Sequence, residues 1–195
     1  MESRLSEALK KELKKVFGGD YRRFLESFEV ATRKSFRVNT LKTSVEEFFD
    51  KRDWSAKPIP WCRYGYWTDE DVGGMIEHFQ GLVYVQEAAS MSAVEALDPK
   101  PGEAILDLAA APGSKTTQIA SCMQNSGCIL ANEVNPARIK TLVFNLSRMG
   151  SVNTIVTQCD TRDFKTDIRF DRVLVDAPCS NLGSRTGFME AAKAY

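Results

Sequence analysis

Between residues 104 and 175 the sequence alternates short apolar runs with amphipathic segments, and this alternation constrains the fold more than any other feature. The apolar runs at 104–108, 128–132, 154–157 and 172–175 have the length and composition of strands. Helices are predicted between the first three of them, over 115–123 and from an Asn135-Pro136 start to Gly150. Strands and helices at this spacing predict an α/β fold with a parallel, doubly wound, Rossmann-like sheet.

Residues 1–80 follow a different pattern and predict a small α+β module ahead of a partial Rossmann-type domain over 81–195. Apolar residues recur at helical spacing over residues 3–17, and Gly18-Gly19 ends that helix. A strand is predicted over 35–41, and Ser44 can cap a helix over 45–51. We expect irregular, packed structure around two prolines and an aromatic cluster, namely Pro58, Pro60, Trp61, Tyr64, Tyr66 and Trp67. A helix over 86–97 leads into the parallel sheet.

The composition is that of a globular protein of a reducing compartment. Hydrophobic residues make up 43% and charged residues 27% of the 195 positions. No apolar run approaches the roughly 20 residues that span a bilayer, and the charged N-terminus is not a signal peptide. We therefore expect a cytoplasmic protein with no membrane partner. The five cysteines form no CxxC pair, which argues against disulfides and against a metal site.

Charge is unevenly distributed along the chain although the net charge is zero. Residues 1–60 hold 14 lysines and arginines against 10 acidic residues, and residues 61–195 hold 12 against 16. A basic N-terminal segment ahead of an acidic core is compatible with contact to nucleic acid. A surplus of four charges is also common on solvated surfaces, so this pattern alone does not decide the partner.

The segment after the first predicted strand has the composition of a loop whose backbone approaches a ligand. It comprises small residues and a helix start, namely Ala109, Ala110, Ala111, Pro112, Gly113, Ser114 and Lys115. Small side chains allow close approach, and the free N–H groups of the following helix can bind a carboxylate. The segment is neither a Walker A loop nor a GxGxxG motif. The simpler interpretation is a tight turn between a strand and a helix.

Acidic residues follow each of the next three predicted strands. Glu133 occupies the position at which a Rossmann site binds the ribose hydroxyls of a nucleoside, and Arg138 lies one turn into the next helix. Asp160 follows the third strand, where it can meet an adenine edge, and Asp176 follows the fourth. Single acidic residues after strands are frequent. Because Glu133, Asp160 and Asp176 each follow a predicted parallel strand, however, the three together fit a cationic ligand that contains adenosine.

Three blocks of the sequence resemble the Nol/Nop/Sun family of RNA cytosine-5 methyltransferases. They are DLAAAPGSKTTQIA, ANEVNPARIKTLVFNLSRMG and FDRVLVDAPCSNLGS. Two further stretches, SFRVNTLK and PIPWC with GLVYVQEAASM, look similar to the N-terminal portion of the bacterial RsmF-type and archaeal members. The resemblance covers residues 35–185 and implies S-adenosyl-L-methionine as cofactor and rRNA or tRNA as substrate.

The resemblance also implies roles for individual residues. The cofactor site would comprise the loop 109–115, Glu133, Arg138, Asp160 and Asp176. Asp176 would lie between the methionine end of the cofactor and the target cytosine, and Lys115 would join it in the active site. Cys179 matches the family's second cysteine, which is implicated in product release. Ala109 stands where the family usually has cysteine, a change that a loop lined by backbone tolerates.

The chemistry of this family uses a thiolate that adds to carbon 6 of cytosine, so that carbon 5 can attack the cofactor's methyl group. An acid such as Asp176 near ring nitrogen 3 stabilises the adduct, and the base must be unstacked from any duplex. The family's attacking cysteine lies in a later Thr-Cys-Ser block, and this sequence reaches Tyr195 without it. We therefore expect a C-terminally truncated or split member, with Cys179 as the one cysteine in the predicted pocket.

The fourth predicted strand has no predicted partner strand at its outer edge. Val173, Leu174 and Val175 would form an exposed apolar edge, which invites self-association or complementation by another chain. Two alternative functions stay open. One is a catalytically inactive remnant that binds S-adenosyl-L-methionine and RNA, and the other is an enzyme that methylates DNA or protein through the same fold.

Overall fold

A computed structural model of the chain describes residues 2, 5–27, 33–50 and 53–177. The chain divides into two compact units, one of residues 1–32 and 178–195 and the other of residues 33–177. The helices are α1 (Glu7–Phe17), α2 (Tyr21–Ser27), α3 (Val45–Asp50), α4 (Ile76–Phe79), α5 (Ala88–Leu97), α6 (Ser114–Cys122) and α7 (Pro136–Met149). The strands are β1 (Lys34–Val38), β2 (Ala56–Ile59), β3 (Cys62–Thr68), β4 (Val83–Val85), β5 (Ala104–Asp107), β6 (Cys128–Asn132), β7 (Thr154–Thr157) and β8 (Arg172–Leu174). Of the helices in these ranges, none has both the length and the apolar character needed to cross a membrane.

The described part of the first unit is a helical hairpin. The side chain of Ser6 accepts a hydrogen bond from Leu9 N at 3.2 Å and so caps α1. α1 ends at Gly18, whose φ of +51° lies in the region that glycine tolerates best. A small apolar cluster joins α1 to α2, and the rings of Phe17 and Phe24 stack with centroids 4.0 Å apart. The helix predicted over residues 3–17 therefore forms, although it begins at Glu7.

The second unit begins with an antiparallel sheet of four strands in the order β2-β3-β1-β4. The prediction of irregular structure around Pro58 and the aromatic cluster is wrong, because this segment forms β2 and β3. Pro58 lies in β2 at the edge of the sheet, where its missing N–H costs no hydrogen bond between strands. In β3, Tyr64 and Tyr66 lie on one face of the sheet and Trp67 lies on the other, and Tyr66 packs against Phe36 and Phe49.

Ser44 caps the start of α3 as predicted, and Glu47 completes the cap. Glu47 N donates to Ser44 Oγ at 3.0 Å, and Ser44 N donates to the Glu47 carboxylate at 3.2 Å. This reciprocal pair is a capping box, which satisfies two N–H groups at the helix start. α3 then buries Phe48 against Phe36 and Trp54 of the antiparallel sheet and its flanking loop.

The second sheet is parallel and has the strand order β7-β6-β5-β8. β6 and β7 lie on one side of β5, and the chain then returns to place β8 on the other side. The predicted Rossmann-like fold class is confirmed, and the point where the strand order reverses lies between β5 and β8. In such sheets, ligands bind outside the carboxyl ends of the strands at this point.

Helices cover both faces of the parallel sheet. One face packs on α5 and α6 through a cluster that includes Val94, Ile105, Ile119 and Ile129. The other face packs on α7 through Ala131, Leu142 and Leu146. At the β8 side of the sheet, Val173 and Val175 are 47% and 59% exposed, and within the described ranges no strand pairs with the outer edge of β8.

The C-terminal end of α7 is tied to loops of the antiparallel sheet. Asn39 Nδ2 donates to both Gly81 O and Met149 O at 2.8 Å, and Lys42 Nζ donates to Arg148 O at 2.7 Å. Gly81 has φ +73°, and a Cβ added there would lie 2.0 Å from Arg148 O. Residues 33–177 thus form one unit that holds both sheets. The domain boundary near residue 80 stays a prediction.

Candidate active site

The loop between β5 and α6 is fixed by hydrogen bonds to both neighbouring strands. Leu108 N donates to Leu174 O at the end of β8, at 3.0 Å, and Ala110 N donates to Asn132 O at the end of β6, at 2.9 Å. Gly113 closes the loop with φ +102°, and a Cβ there would meet Leu142 Cδ1 at 3.1 Å. The small-residue loop therefore lies at the carboxyl edge of the sheet, on the point where the strand order reverses.

Two side chains from α7 hold the carbonyl groups of this loop. Arg138 donates a hydrogen bond to Ala111 O, and Asn145 Nδ2 donates to Pro112 O at 2.8 Å. The N–H groups of the α6 start, at Ser114 and Lys115, come directly after the loop. The predicted residues 109–115 are thus supported from α7, with the first turn of α6 adjoining them.

Glu133 follows β6 and is almost completely buried, with 2% of its surface exposed. Its Oε1 accepts a hydrogen bond from Asn135 N at 2.9 Å, and its Oε2 lies 3.1 Å from Arg138 Nη1. Despite that ion pair, no donor in the described ranges makes a hydrogen bond to Oε2. A buried carboxylate oxygen that is ion-paired but accepts no hydrogen bond fits a ligand with hydroxyl groups, such as the ribose of a nucleoside.

Asn132 connects the ends of three strands, and sequence reasoning missed it. Its Nδ2 donates to Cys159 O after β7 at 2.9 Å and lies 3.4 Å from Leu108 O after β5. Its Oδ1 accepts from Thr157 Oγ1 at 3.1 Å. A buried polar residue at the end of a strand was the available signal, because such a side chain needs several partners.

Asp160 lies after β7 as predicted, but its carboxylate is already engaged. Arg162 donates to both oxygens, from Nη2 at 2.6 Å and from Nε at 3.0 Å. These hydrogen bonds lower the pKa of Asp160 to about 2. Thr161 Oγ1 donates to Leu108 O at 3.2 Å, which ties this segment to the loop after β5. The role of Asp160 at an adenine edge stays a prediction.

Lys115 and Asp176 form an ion pair on the other side of the loop. Lys115 Nζ lies 2.5 Å from Asp176 Oδ2, and the lysine side chain is 16% exposed while that of the aspartate is 57% exposed. The two residues expected to share the active site are therefore in contact. Cys179, the third residue of the predicted catalytic set, lies outside the described residues.

Asp107 at the end of β5 is a second residue that the sequence prediction of the site missed. Its side chain is buried and accepts a hydrogen bond from Thr116 Oγ1 at 2.7 Å. Burial raises the pKa of Asp107 to about 6, while the Thr116 hydrogen bond and the charge of Lys115 act in the opposite direction. The aspartate is the first residue of the DLAAAPG block, and its buried position at a strand end was the signal that could have identified it.

The predicted site residues form two clusters around one loop. Arg138 contacts the loop at Ala111 and pairs with Glu133, whereas Lys115 and Asp176 lie at the start of α6 and the end of β8. The segment of Asp160 is connected to the loop through the hydrogen bond from Thr161 to Leu108 O, whereas the Asp160 carboxylate binds Arg162. Among the described residues, no group of three or more metal-binding side chains is placed to hold an ion.

A parallel sheet with this strand order, a small-residue loop ahead of α6 and a buried acid after β6 define the class of Rossmann-type S-adenosylmethionine-dependent methyltransferases. The family model for the 16S rRNA methyltransferase RsmB/F matches residues 94–187. The model for the N-terminal domain of 16S rRNA methyltransferase RsmF matches residues 5–88. The chain belongs to this RsmB/F family, on its RsmF-like side, which confirms the resemblance to the Nol/Nop/Sun methyltransferases.

Individual relatives agree with this assignment. The chain is 46% identical over 177 residues to the ribosomal RNA small subunit methyltransferase F of Erwinia tasmaniensis, a match over 84% of this chain and 37% of the relative. The protein of the same name from Salmonella paratyphi B is 46% identical over 173 residues, which are 82% of this chain and 36% of the relative. The chain thus spans a little over a third of the length of these relatives.

A solved structure also supports the assignment of the chain to this fold. A methyltransferase homolog protein from Pyrococcus horikoshii superimposes with a TM-score of 0.83 and 36% sequence identity, over 92% of this chain and 61% of that one. These relatives are methyltransferases by name, and the expected cofactor, S-adenosyl-L-methionine, is confirmed at the level of the family.

Proposed function

We propose that this chain carries the cofactor-binding part of a methyltransferase that acts on carbon 5 of a cytosine in 16S rRNA. The observation that supports this best is Glu133, a buried acid whose Oε2 is ion-paired with Arg138 but accepts no hydrogen bond within the described ranges. The names of the relatives support rRNA over tRNA as the substrate, and RNA over DNA or protein.

Different residues of the site bind different parts of the cofactor. Glu133 accepts hydrogen bonds from the ribose hydroxyls, and the backbone of residues 109–113 lies against the nucleoside. The first N–H groups of α6 face the carboxylate of the methionine part. Arg138 fixes Glu133 relative to Ala111 and stays among the residues that we assign to the cofactor site. S-adenosyl-L-methionine supplies an electrophilic methyl group when it is bound.

Lys115 and Asp176 act on the nucleobase. Asp176 is half exposed at the end of β8, where it can donate or accept a proton at ring nitrogen 3 of cytosine. Lys115 holds that carboxyl in place through the 2.5 Å contact. A cysteine thiolate must add to carbon 6 before carbon 5 can react, and after methyl transfer a base removes the proton from carbon 5 as the thiolate leaves. Cys179 is our candidate for a thiol in the pocket, either in this step or in product release.

The partner and the location of the protein follow from the same proposal. The N-terminal module of residues 1–80, whose first 60 residues hold the surplus of basic residues, contacts the RNA. The domain of residues 81–195 holds the cofactor, and the protein works in the cytoplasm. The exposed edge of β8, with Val173 and Val175, pairs with another chain or with a second copy.

Covalent trapping tests the proposed function. The chain is incubated with S-adenosyl-L-methionine and either a small-subunit rRNA fragment or a tRNA transcript, each with 5-azacytosine in place of cytosine. A denaturation-resistant adduct with the rRNA fragment, absent in Cys179→Ala, supports local catalysis. If neither RNA is trapped while S-adenosylhomocysteine still binds, the chain alone is a non-catalytic binding module and the proposed activity is wrong for it.

A further inference from the structure

The hairpin of β2 and β3 presents an aromatic and basic surface that the cofactor site does not use. We call it the tryptophan platform and define it by Arg33, Lys57, Trp61 and Trp67. Lys57 lies directly opposite Trp67 in the antiparallel register, so their side chains share one face of the sheet. Arg33 precedes β1 and places its guanidinium carbon 5.5 Å from the centre of the Trp67 ring.

The two indole rings of the platform are held in a fixed geometry. Trp61 lies edge-on to Trp67 with ring centres 5.6 Å apart and an angle of 82° between the planes. Trp61 Nε1 donates to Ala88 O at 2.9 Å, which fixes the orientation of its ring, and the residue is 45% exposed. An exposed indole whose orientation is fixed offers a flat apolar face at low cost in conformational entropy.

A cavity of about 430 Å³ adjoins the ring of Trp67, and Trp61 lies outside its lining. Its lining includes Arg33, Lys57 and Trp67, together with the polar residues Ser55, Thr68 and Asp69. Within the described ranges, neither Arg33 nor Lys57 forms an ion pair with a carboxylate. Their charges are therefore available to an anionic ligand, whereas Arg138, Arg162 and Arg172 are each paired within the protein.

We infer that the tryptophan platform binds an unpaired nucleotide of the RNA, separate from the cytosine that is methylated. Arg33 and Lys57 contact the phosphate groups, and the base stacks on the exposed ring of Trp61. Stacking on aromatic side chains beside a positive groove is how proteins hold single-stranded nucleic acid without reading its sequence. This inference rests on the proposed action on RNA, but it concerns a surface that does not include any residue of the cofactor site.

The test measures binding of a fluorescein-labelled octamer of uridylate to the full 195-residue chain by fluorescence anisotropy. Uridylate has no cytosine, so its binding does not depend on methyl transfer. The variants are Trp61→Leu, Lys57→Glu and Arg33→Glu, all at exposed positions. Lys140→Glu on α7 is the control, because it makes the same charge change at an exposed lysine outside the platform. The midpoint of thermal unfolding checks that each variant is folded.

Trp61→Leu is expected to raise the Kd about fivefold or more, the effect of losing one stacked base. Lys57→Glu and Arg33→Glu are expected to weaken binding and to lower the slope of log K against log salt by about 0.7 for each lost phosphate contact. Lys140→Glu is expected to bind like the unmodified chain. Equal binding by Trp61→Leu and the unmodified chain overturns the inference.

Polyglutamate distinguishes an RNA site from a surface for an acidic protein. If polyglutamate displaces the octamer as well as unlabelled uridylate does, the surface responds to charge alone and the inference is wrong. S-adenosylhomocysteine binding, measured on the same samples, separates this inference from the proposed function. Bound S-adenosylhomocysteine with no octamer binding refutes the platform alone, and a bound octamer without S-adenosylhomocysteine refutes the cofactor site alone.

Discussion

Arg138 links Glu133 to the loop after β5. Its Nη1 lies 3.1 Å from Glu133 Oε2, and its Nη2 donates to Ala111 O. A single guanidinium therefore fixes the acid that follows β6 relative to the loop that follows β5. The ion pair leaves Oε2 without a hydrogen bond, so the acid is held in place while it can still accept one from a ligand.

Glu133→Ala is expected to weaken binding of S-adenosylhomocysteine by about 1–3 kcal/mol, because the ribose hydroxyls would then lack their buried acceptor. Equilibrium dialysis with labelled S-adenosylhomocysteine measures the change in Kd. Glu12→Ala, at an exposed position of α1, is the matched control and should bind like the unmodified chain. Equal affinities in the two variants would show that Glu133 has no part in the cofactor site.

Asp107 is expected to make the stability of the protein depend on pH. The pKa of its carboxyl is about 6 in the folded protein, above the ordinary value of 3.8, so the folded state binds the proton more tightly than the unfolded chain. The contribution of Asp107 to the free energy of unfolding therefore falls as the pH rises from about 4 to about 6, and is level above that. The loss amounts to about 3 kcal/mol, from the size of the pKa shift.

Urea unfolding of the unmodified chain and of Asp107→Asn, at several pH values between 4 and 8, measures this effect. The asparagine variant is expected to gain stability relative to the unmodified chain as the pH rises, because it carries no charge to bury. A difference between the two proteins that stays constant over this range contradicts the raised pKa of Asp107.

Gly81→Ala is expected to destabilise the protein more than Gly102→Ala. Both glycines have positive φ, so alanine is strained at either position, but their surroundings differ. A Cβ at Gly81 would lie 2.0 Å from Arg148 O, whereas nothing lies within 4 Å of one at Gly102. We expect a further loss of about 1–3 kcal/mol at Gly81, measured by urea unfolding. Equal losses of unfolding free energy in the two variants would mean that Arg148 O of α7 does not lie in close contact with Gly81.

Val175→Lys is expected to reduce self-association of the 195-residue chain. Val175 is 59% exposed beside the outer edge of β8, and a lysine at a sheet edge opposes pairing with another strand. Sedimentation velocity at several protein concentrations measures the associated fraction. Val152→Lys, at an exposed position outside β8, is the control. An equal effect of the two substitutions would place the association elsewhere on the surface.

Much of the parallel sheet and its ligand edge could be predicted from the sequence, because each strand there is a short apolar run followed by a polar or glycine-rich turn. The start of α7 at Asn135-Pro136 and its end at Gly150 were confirmed for the same reason. The order of these elements placed Gly113, Glu133 and Asp176 on one edge of the sheet before any contact was known.

The missed features depend on partners that are distant in sequence. Arg37 is almost completely buried and donates to Gln86 at 3.2 Å and to Thr117 at 3.0 Å, and no local pattern predicts a buried arginine. Asn132 similarly finds its hydrogen-bond partners at the ends of the neighbouring strands β5 and β7. The strand β3 was missed because glycine and aromatic residues interrupt its polar and apolar alternation. The strand forms nonetheless, because β3 packs on α5 and, through Tyr66, on Phe49 of α3.

Isothermal titration of the chain with S-adenosylhomocysteine is the most direct test of a shared cofactor site at the carboxyl edge of the parallel sheet. We predict saturable heat with one molecule bound per chain. A chain that is folded by circular dichroism and yet gives no heat of binding, and no shift of its unfolding temperature with the same ligand, would contradict the assignment of Gly113, Glu133 and Asp176 to one adenosyl-binding site.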